Sequence, residues 1–307
     1  MKEEVFTFKD SQGVELFVYK WVPENLEASK GILQLAHGMA ETAARYRRFA
    51  EALTKEGYIV YANDHRGHGK TAGTLEKVGY MGEDGFNWMV KDLYELNCLI
   101  RNENENLPVF LMGHSMGSFL TQSFIYRYGN QLNGAILSGT AGKMGPIINL
   151  ATWIAKREVK KQGAETKSPK LNNLSFGGYN KCFKPSRTEF DWLSRDEKEV
   201  DKYIADPFCG GIFSAGYFYD LLKGLKENHK IENMNKIPKE LPIYLFSGDK
   251  DPVGSNTKTV NQLINTYKAL GIKDVSYKFY KDGRHEMLNE LNRDEVTRDI
   301  IDWLKIH

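Results

Sequence analysis

Apolar and polar positions along the chain fall into two alternating periods. Short runs such as "GILQLAHG" (Gly31–Gly38), "YIVYAND" (Tyr58–Asp64), "PVFLMG" (Pro108–Gly113) and "GAILSG" (Gly134–Gly139) are almost continuously apolar and bounded by turn residues. That pattern predicts strands buried on both faces. Between them the period lengthens. In "RYRRFAEALTKEG", Tyr46, Phe49, Ala50 and Leu53 recur at helical spacing, and the run closes on Gly57. In "FNWMVKDLYELNCLIRN", Met89, Leu93, Leu96 and Ile100 share one helical face, and "MGSFLTQSFIYRYG" reads as a helix ending on Gly129. Two earlier strand-like runs, Val5–Phe8 and Val14–Trp21, flank a turn at Gly13.

The alternation breaks after Gly139 and resumes near residue 240. There a strand (Leu241–Asp249), a helix ("TKTVNQLINTYKALG"), a strand (Asp274–Tyr280) and an amphipathic helix ("RDEVTRDIIDWLKI") complete the chain. Strands alternating with helices predict an α/β fold with a mostly parallel central sheet and helices on both faces. The break predicts a mainly helical cap inserted after the sixth core strand. The expected division is a core at 1–141 and 233–307 with a cap at 142–232. No internal repeat or low-complexity linker interrupts it.

Composition narrows the function classes. The 307 residues are 41% hydrophobic and 27% charged, ordinary for a globular protein with a sizeable core. A net charge of +2 leaves no global basic field of the kind that nucleic-acid binding needs. No apolar run approaches the roughly 18 residues of a membrane span, and "MKEEVFTFKD" lacks the apolar stretch of a signal peptide. Cys98, Cys182 and Cys209 are widely spaced and odd in number, which suits reduced thiols in a cytoplasmic protein better than disulfides or a zinc site.

The chemistry gathers at one junction. Gly113-His114-Ser115-Met116-Gly117 is G-x-S-x-G, set between a predicted strand and a predicted helix. In that context the pattern is a nucleophile elbow: the tight turn exposes Ser115 Oγ and frees the Met116 amide to bind an oxyanion. A nucleophilic serine needs a base, and the base needs an orienting acid. His37, His65 and His68 precede the elbow, whereas the order in such folds is serine, acid, histidine. His114 adjoins the serine, His229 lies near the end of the insertion, and His307 is terminal. His285, in the glycine-containing loop "KDGRHEMLNE", is the candidate base. The loop "LFSGDKDPVG" offers Asp249 and Asp251 as the acid, and spacing alone does not choose between them. The second oxyanion donor is expected from "AHGMAETAARY", through the Met39 amide beside Gly38.

The segments "HGMAE", "DHRGHGKT", "GHSMG", "GDKDPVG" and "GRHEMLNE" occur in the order and at about the spacings of a known family. The sequence resembles an α/β-hydrolase of the monoacylglycerol lipase and lysophospholipase group, related to serine aminopeptidases. The resemblance implies a cofactor-free serine hydrolase of lipid-like carboxylic esters. It marks Asp251 as the acid through the pattern G-x-x-D, and Met39 and Met116 as the oxyanion donors. It also places Glu41 and Arg45 near the glycerol end of the substrate. Without the resemblance, those two read as a helix-start carboxylate and its i,i+4 ion pair.

Asp64, His65 and His68 in "NDHRGHGK" lack the further ligands of a closed metal site, and "GHGK" lacks the Walker spacing. Neither a metal nor a cofactor is therefore expected. The three cysteines are expected to be small core or surface residues, and an approach of Cys209 to the pocket is the alternative reading for that one. An aminopeptidase of the proline iminopeptidase type is the alternative activity, and it would need cap carboxylates converging on a free amine; a carboxylesterase of small esters is another. Within the cap, "PIINLATWIAKREVKKQ" places Ile147, Leu150, Ala151 and Ile154 on one helical face and turns basic at Lys156, Arg157, Lys160 and Lys161. Such a helix either packs on the core with a solvated basic exit, or lines an acyl channel while its basic end makes transient contact with anionic lipid.

Overall fold

The computed structural model describes residues 1–307. Eight strands form one sheet: β1 (Lys2–Lys9), β2 (Glu15–Val22), β3 (Gly31–Ala36), β4 (Tyr58–Asn63), β5 (Val109–His114), β6 (Gly134–Ser138), β7 (Ile243–Gly248) and β8 (Val275–Tyr280). Their spatial order is β1-β2-β4-β3-β5-β6-β7-β8. The first two strands run antiparallel to their neighbours and the other six are parallel. The expected strands are all present.

The helices are α1 (Arg47–Lys55), α2 (Gly69–Ala72), α3 (Gly85–Glu103), α4 (Met116–Tyr128), α5 (Ile147–Gln162), α6 (Pro169–Phe176), α7 (Glu197–Ala205), α8 (Ala215–Asn228), α9 (Ile231–Met234), α10 (Lys258–Ala269) and α11 (Arg293–Ile306). The helix expected from Arg45 starts instead as a 3-10 turn, Ala43–Tyr46, that runs into α1. The segment between β6 and β7 holds α5 to α9 and no strand of the sheet.

Alternation along the strands builds two cores. Ile32 and Leu111 join one apolar cluster with residues of α3, α4, α8 and α10. Their chain neighbours Leu33 and Phe110 point the other way, into a cluster with residues of α1 and α11. Each such fully buried aliphatic side chain contributes about 1.5–3 kcal/mol of transfer free energy. The predicted face of α3, Met89, Leu93, Leu96 and Ile100, is completely buried.

The sheet register brings the carboxyl ends of five strands level. Ala36 pairs with Gly113, His114 with Ser138, Ser138 with Phe246, and Gly248 with Tyr280. The loops after β3, β5, β6, β7 and β8 therefore open at one edge, where open α/β sheets place their sites.

The apolar side of the cap's first helix divides in two. On α5, Ile148 and Ala155 are buried and Ile154 packs partly against the core, whereas Ile147, Leu150 and Trp153 are all more than half exposed. The helix rests on α8. Its apolar positions exceed what this neighbour covers, so the Ile147–Leu150 side faces outward.

Candidate active site

Only one residue separates β5 from α4, and it is Ser115, with φ +51° and ψ −119°. An L-residue held there stores on the order of 1–3 kcal/mol of strain. The sharp turn drives α4 against β3, and a Cβ on Gly117 would collide with the Ala36 carbonyl. The motif's second glycine is thus required by close approach. Met116 opens α4, so its amide is among those with no acceptor inside the helix.

The loops after β7 and β8 bring the acid to the histidine. His285 Nδ1 lies 2.9 Å from Asp251 Oδ2 and 3.0 Å from Oδ1. Asp251 is fully buried, and its Oδ1 also accepts the Val253 amide at 2.9 Å. Asp249 makes no bond to the histidine and has Lys250 at 3.9 Å as its ionic neighbour. An Nδ1–H held by a carboxylate leaves Nε2 free to take a proton. Burial pushes the His285 pKa down, but the charge and hydrogen bond of Asp251 outweigh it, and the pKa stands above the ordinary histidine value. Beside it, His114 is pushed down to about 4 by burial and by His285, and so stays neutral.

Ser115 and His285 line the same cavity, of about 450 Å³, although no hydrogen bond joins them in this conformation. The volume lies within the range of small-molecule pockets. A Cβ at Gly139, after β6, would meet His285 Cε1 at 3.0 Å, and its φ of +55° is itself one that favours glycine. This glycine keeps the space for the imidazole.

The loop after β3 is held from several sides. His37 Nδ1 donates to the Gly38 carbonyl at 2.7 Å, and His37 Nε2 accepts the His65 amide at 3.0 Å, which fixes a neutral tautomer. Asp64 accepts the Ala43 amide at 2.8 Å and the Lys70 amide at 2.8 Å. Its carboxylate is thus occupied by backbone. The Ala40 carbonyl accepts the Gly210 amide from the cap at 3.0 Å. The Met39 amide donates to no acceptor in the protein.

Glu41 lines the cavity, and its Oε1 accepts the Gly38 amide at 2.5 Å and the Tyr46 hydroxyl at 2.8 Å. Arg45 lies behind the wall. It bonds Glu41 Oε2 at 2.6 Å and forks onto Glu286 at 2.7 Å through each terminal nitrogen. Glu286 was not anticipated: it adjoins His285, but no local pattern links it to a partner 241 positions away. The cap closes the cavity with Asn172, Asn173 and Phe176 of α6, with Trp192, and with Tyr203 of α7. Trp192 lies 5.0 Å from the His285 ring, centroid to centroid. Cys209 itself is not in the wall, though Gly210 and Gly211 are, and burial pushes its thiol pKa up.

A class emerges from this arrangement: an α/β-hydrolase with a serine elbow, a carboxylate-held histidine and a capped cavity. The profile of the family described as "Serine aminopeptidase, S33" matches residues 27–292. The chain belongs to that family. A monoacylglycerol lipase of Mycolicibacterium smegmatis is 28% identical over 308 residues, covering 98% of this chain and 96% of its own. A monoglyceride lipase of Rattus norvegicus is 27% identical over 95% of this chain and 86% of its own. Among solved structures, a thermostable carboxyl esterase from Bacillus coagulans, in complex with glycerol, superposes with a TM-score of 0.92 at 28% identity, covering 99% and 98% of the two chains.

Proposed function

We propose that this chain cleaves monoacylglycerols or lysophospholipids through Ser115, His285 and Asp251 and a covalent acyl-enzyme. The coarser statement stands independently of that choice: it is a hydrolase of lipid-like carboxylic esters. The observation that carries the triad is His285, held by Asp251 and sharing one cavity wall with a serine at positive φ, and likeness to the monoacylglycerol lipases supports the substrate class.

In this mechanism His285 Nε2 takes the proton of Ser115 Oγ as the oxygen attacks the ester carbonyl. The Met39 and Met116 amides hold the oxyanion. The tetrahedral intermediate breaks its bond to the alcohol oxygen, which leaves with the proton from His285. A water then attacks the acyl-enzyme, passes its proton to His285, and Ser115 recovers that proton as the fatty acid departs. Asp251 keeps the imidazole in the required tautomer and offsets its charge.

The aminopeptidase alternative needs free carboxylates around a substrate amine. Of the cavity's carboxylates Glu41, Glu189 and Glu286, two are already tied to Arg45. That favours the ester reading. No helix is long and apolar enough to cross a membrane. The exposed Ile147, Leu150 and Trp153, beside Lys156, Arg157, Lys160 and Lys161, suit transient contact with a lipid surface that holds the substrate.

The test is a hydrolysis panel of monoacylglycerols, lysophospholipids, p-nitrophenyl esters and aminoacyl amides, with fluorophosphonate labelling mapped by mass spectrometry. We expect ester turnover and label on Ser115, with Ser115→Ala folded and slower by about 10⁴-fold or more. Label on another serine, or amide turnover alone, rejects the assignment.

A further inference from the structure

The oxyanion loop and the histidine loop come from opposite ends of the sequence, and a single side chain joins them. The Arg45 guanidinium receives Glu41 on one side and Glu286 on the other, all at 2.6–2.7 Å. All three side chains are nearly out of solvent, at 13% exposure for Arg45, 4% for Glu41 and 7% for Glu286. Each carboxylate is anchored again on its own side. Glu41 Oε1 holds the Gly38 amide, next to the expected oxyanion donor Met39. Glu286 Oε2 accepts Asn289 Nδ2 at 2.9 Å, and the Glu286 amide donates to the cap carbonyl of Leu193 at 2.7 Å. The guanidinium plane rests over the Tyr203 ring at 4.8 Å. Arg45 itself does not line the cavity, whereas Glu41 and Glu286 do.

We propose that Arg45 and Glu286 are positioning residues: through Glu41 and Glu286, one guanidinium sets the oxyanion loop and the catalytic-histidine loop in fixed relation. This replaces a direct substrate contact for Arg45, and it rests on the serine-hydrolase reading above. A planar fork suits the task, because it binds one carboxylate with two parallel bonds and still reaches a second. Charge adds a second effect. Two carboxylates around one guanidinium leave a net negative charge beside His285. The groups facing His285 are Asp251 from the loop after β7, neutral His114 before the elbow, Glu41 from the loop after β3, and Glu286 on its own loop. The three carboxylates all favour the imidazolium that forms in the transition state. Burial opposes the ionised form of Glu286, but Arg45 prevails and holds its pKa well below the usual carboxylate range, so its charge persists wherever His285 titrates.

Two variants separate geometry from charge. Glu286→Gln keeps the shape and removes the charge. Less stabilisation of the imidazolium lowers the His285 pKa, so the acid limb of kcat/KM moves to lower pH, and kcat falls about 10-fold with KM nearly unchanged. Arg45→Lys keeps the charge but cannot span both carboxylates. Its kcat falls by a similar factor, about 10-fold, while the acid limb stays in place. Both are measured on soluble p-nitrophenyl butyrate, with thermal melting to confirm folding. An acid limb unmoved in Glu286→Gln, or a rise in KM alone in Arg45→Lys, overturns the proposal. Should Glu286→Gln fail to fold, Asn289→Ala, which loosens Glu286, and Arg45→Lys decide it: wild-type kcat in both rejects the bridge. A wild type that neither turns over esters nor labels at Ser115 overturns the hydrolase reading itself, a result distinct from any variant-to-wild-type ratio.

Discussion

The carboxyl edge of the sheet and the cap meet across one cavity, yet they are held by different means. At the sheet edge, each chemical group is fixed by partners from several loops: His285 by Asp251, Glu41 by Gly38, Tyr46 and Arg45, and His37 by Gly38 and His65. Behind that edge lie two large apolar clusters. The cavity-facing part of the cap has an apolar cluster of its own with only three buried residues, Trp192, Leu193 and Tyr203. The Trp192 and Leu193 carbonyls accept the His285 and Glu286 amides, so the low free energy of local opening that few buried contacts give belongs to the rest of that cluster. The contrast assigns the two faces different duties: the edge keeps reacting groups in register, and the cap is free to vary what it admits.

The largest expected effect tests the edge. Asp251→Asn should leave His285 in the wrong tautomer and lower kcat by about 10⁴-fold, while Asp249→Asn, outside the pair, stays near wild type. The reverse ranking in steady-state kinetics would break the contrast at its centre. Next comes acid stability. The pKa values of His37, His65, His68, His114 and His229 all lie below the ordinary value because burial disfavours the charged ring. A depressed folded-state pKa gives stability that is present above the unfolded value near 6.5 and lost as pH falls through the folded one. Each such histidine therefore removes about 1.4 kcal/mol per pH unit in that window. Urea melts from pH 7 to pH 4 should show the loss at once, and His37→Asn should flatten it. Four of these five, His37, His65, His68 and His114, lie in the core and only His229 in the 142–232 segment, so a cap that opens well before the core in acid would count against this account.

The smallest effect belongs to the cap. Lys156→Glu with Lys160→Glu should weaken sedimentation with anionic vesicles several-fold at low salt, and the difference should shrink at high salt. Turnover of a soluble ester should be unchanged. Vesicle binding equal to wild type at low salt would leave that helix end a solvated face.

These differences track what the sequence exposes. Strand positions were legible because each buried run is local, and the elbow because its five residues are contiguous. His285 followed from chain order and loop context. The choice of Asp251 needed the family pattern, since Asp249 fits the same loop. The Arg45–Glu286 fork was invisible, because nothing local pairs residues 241 positions apart. The lining of the cavity by α6 rather than α5 was also hidden. Period reveals that Ile147, Leu150 and Ile154 share a face, but not whether anything covers it.

The left-handed backbone at Ser115 has a consequence for anyone selecting heat-tolerant descendants of this chain. The proposed nucleophile is itself held in a strained turn, so Ser115→Gly would relax the turn and raise the melting temperature while abolishing turnover. A library screened on thermal survival alone would drift toward that glycine. Selection that couples survival to ester cleavage is what retains the serine.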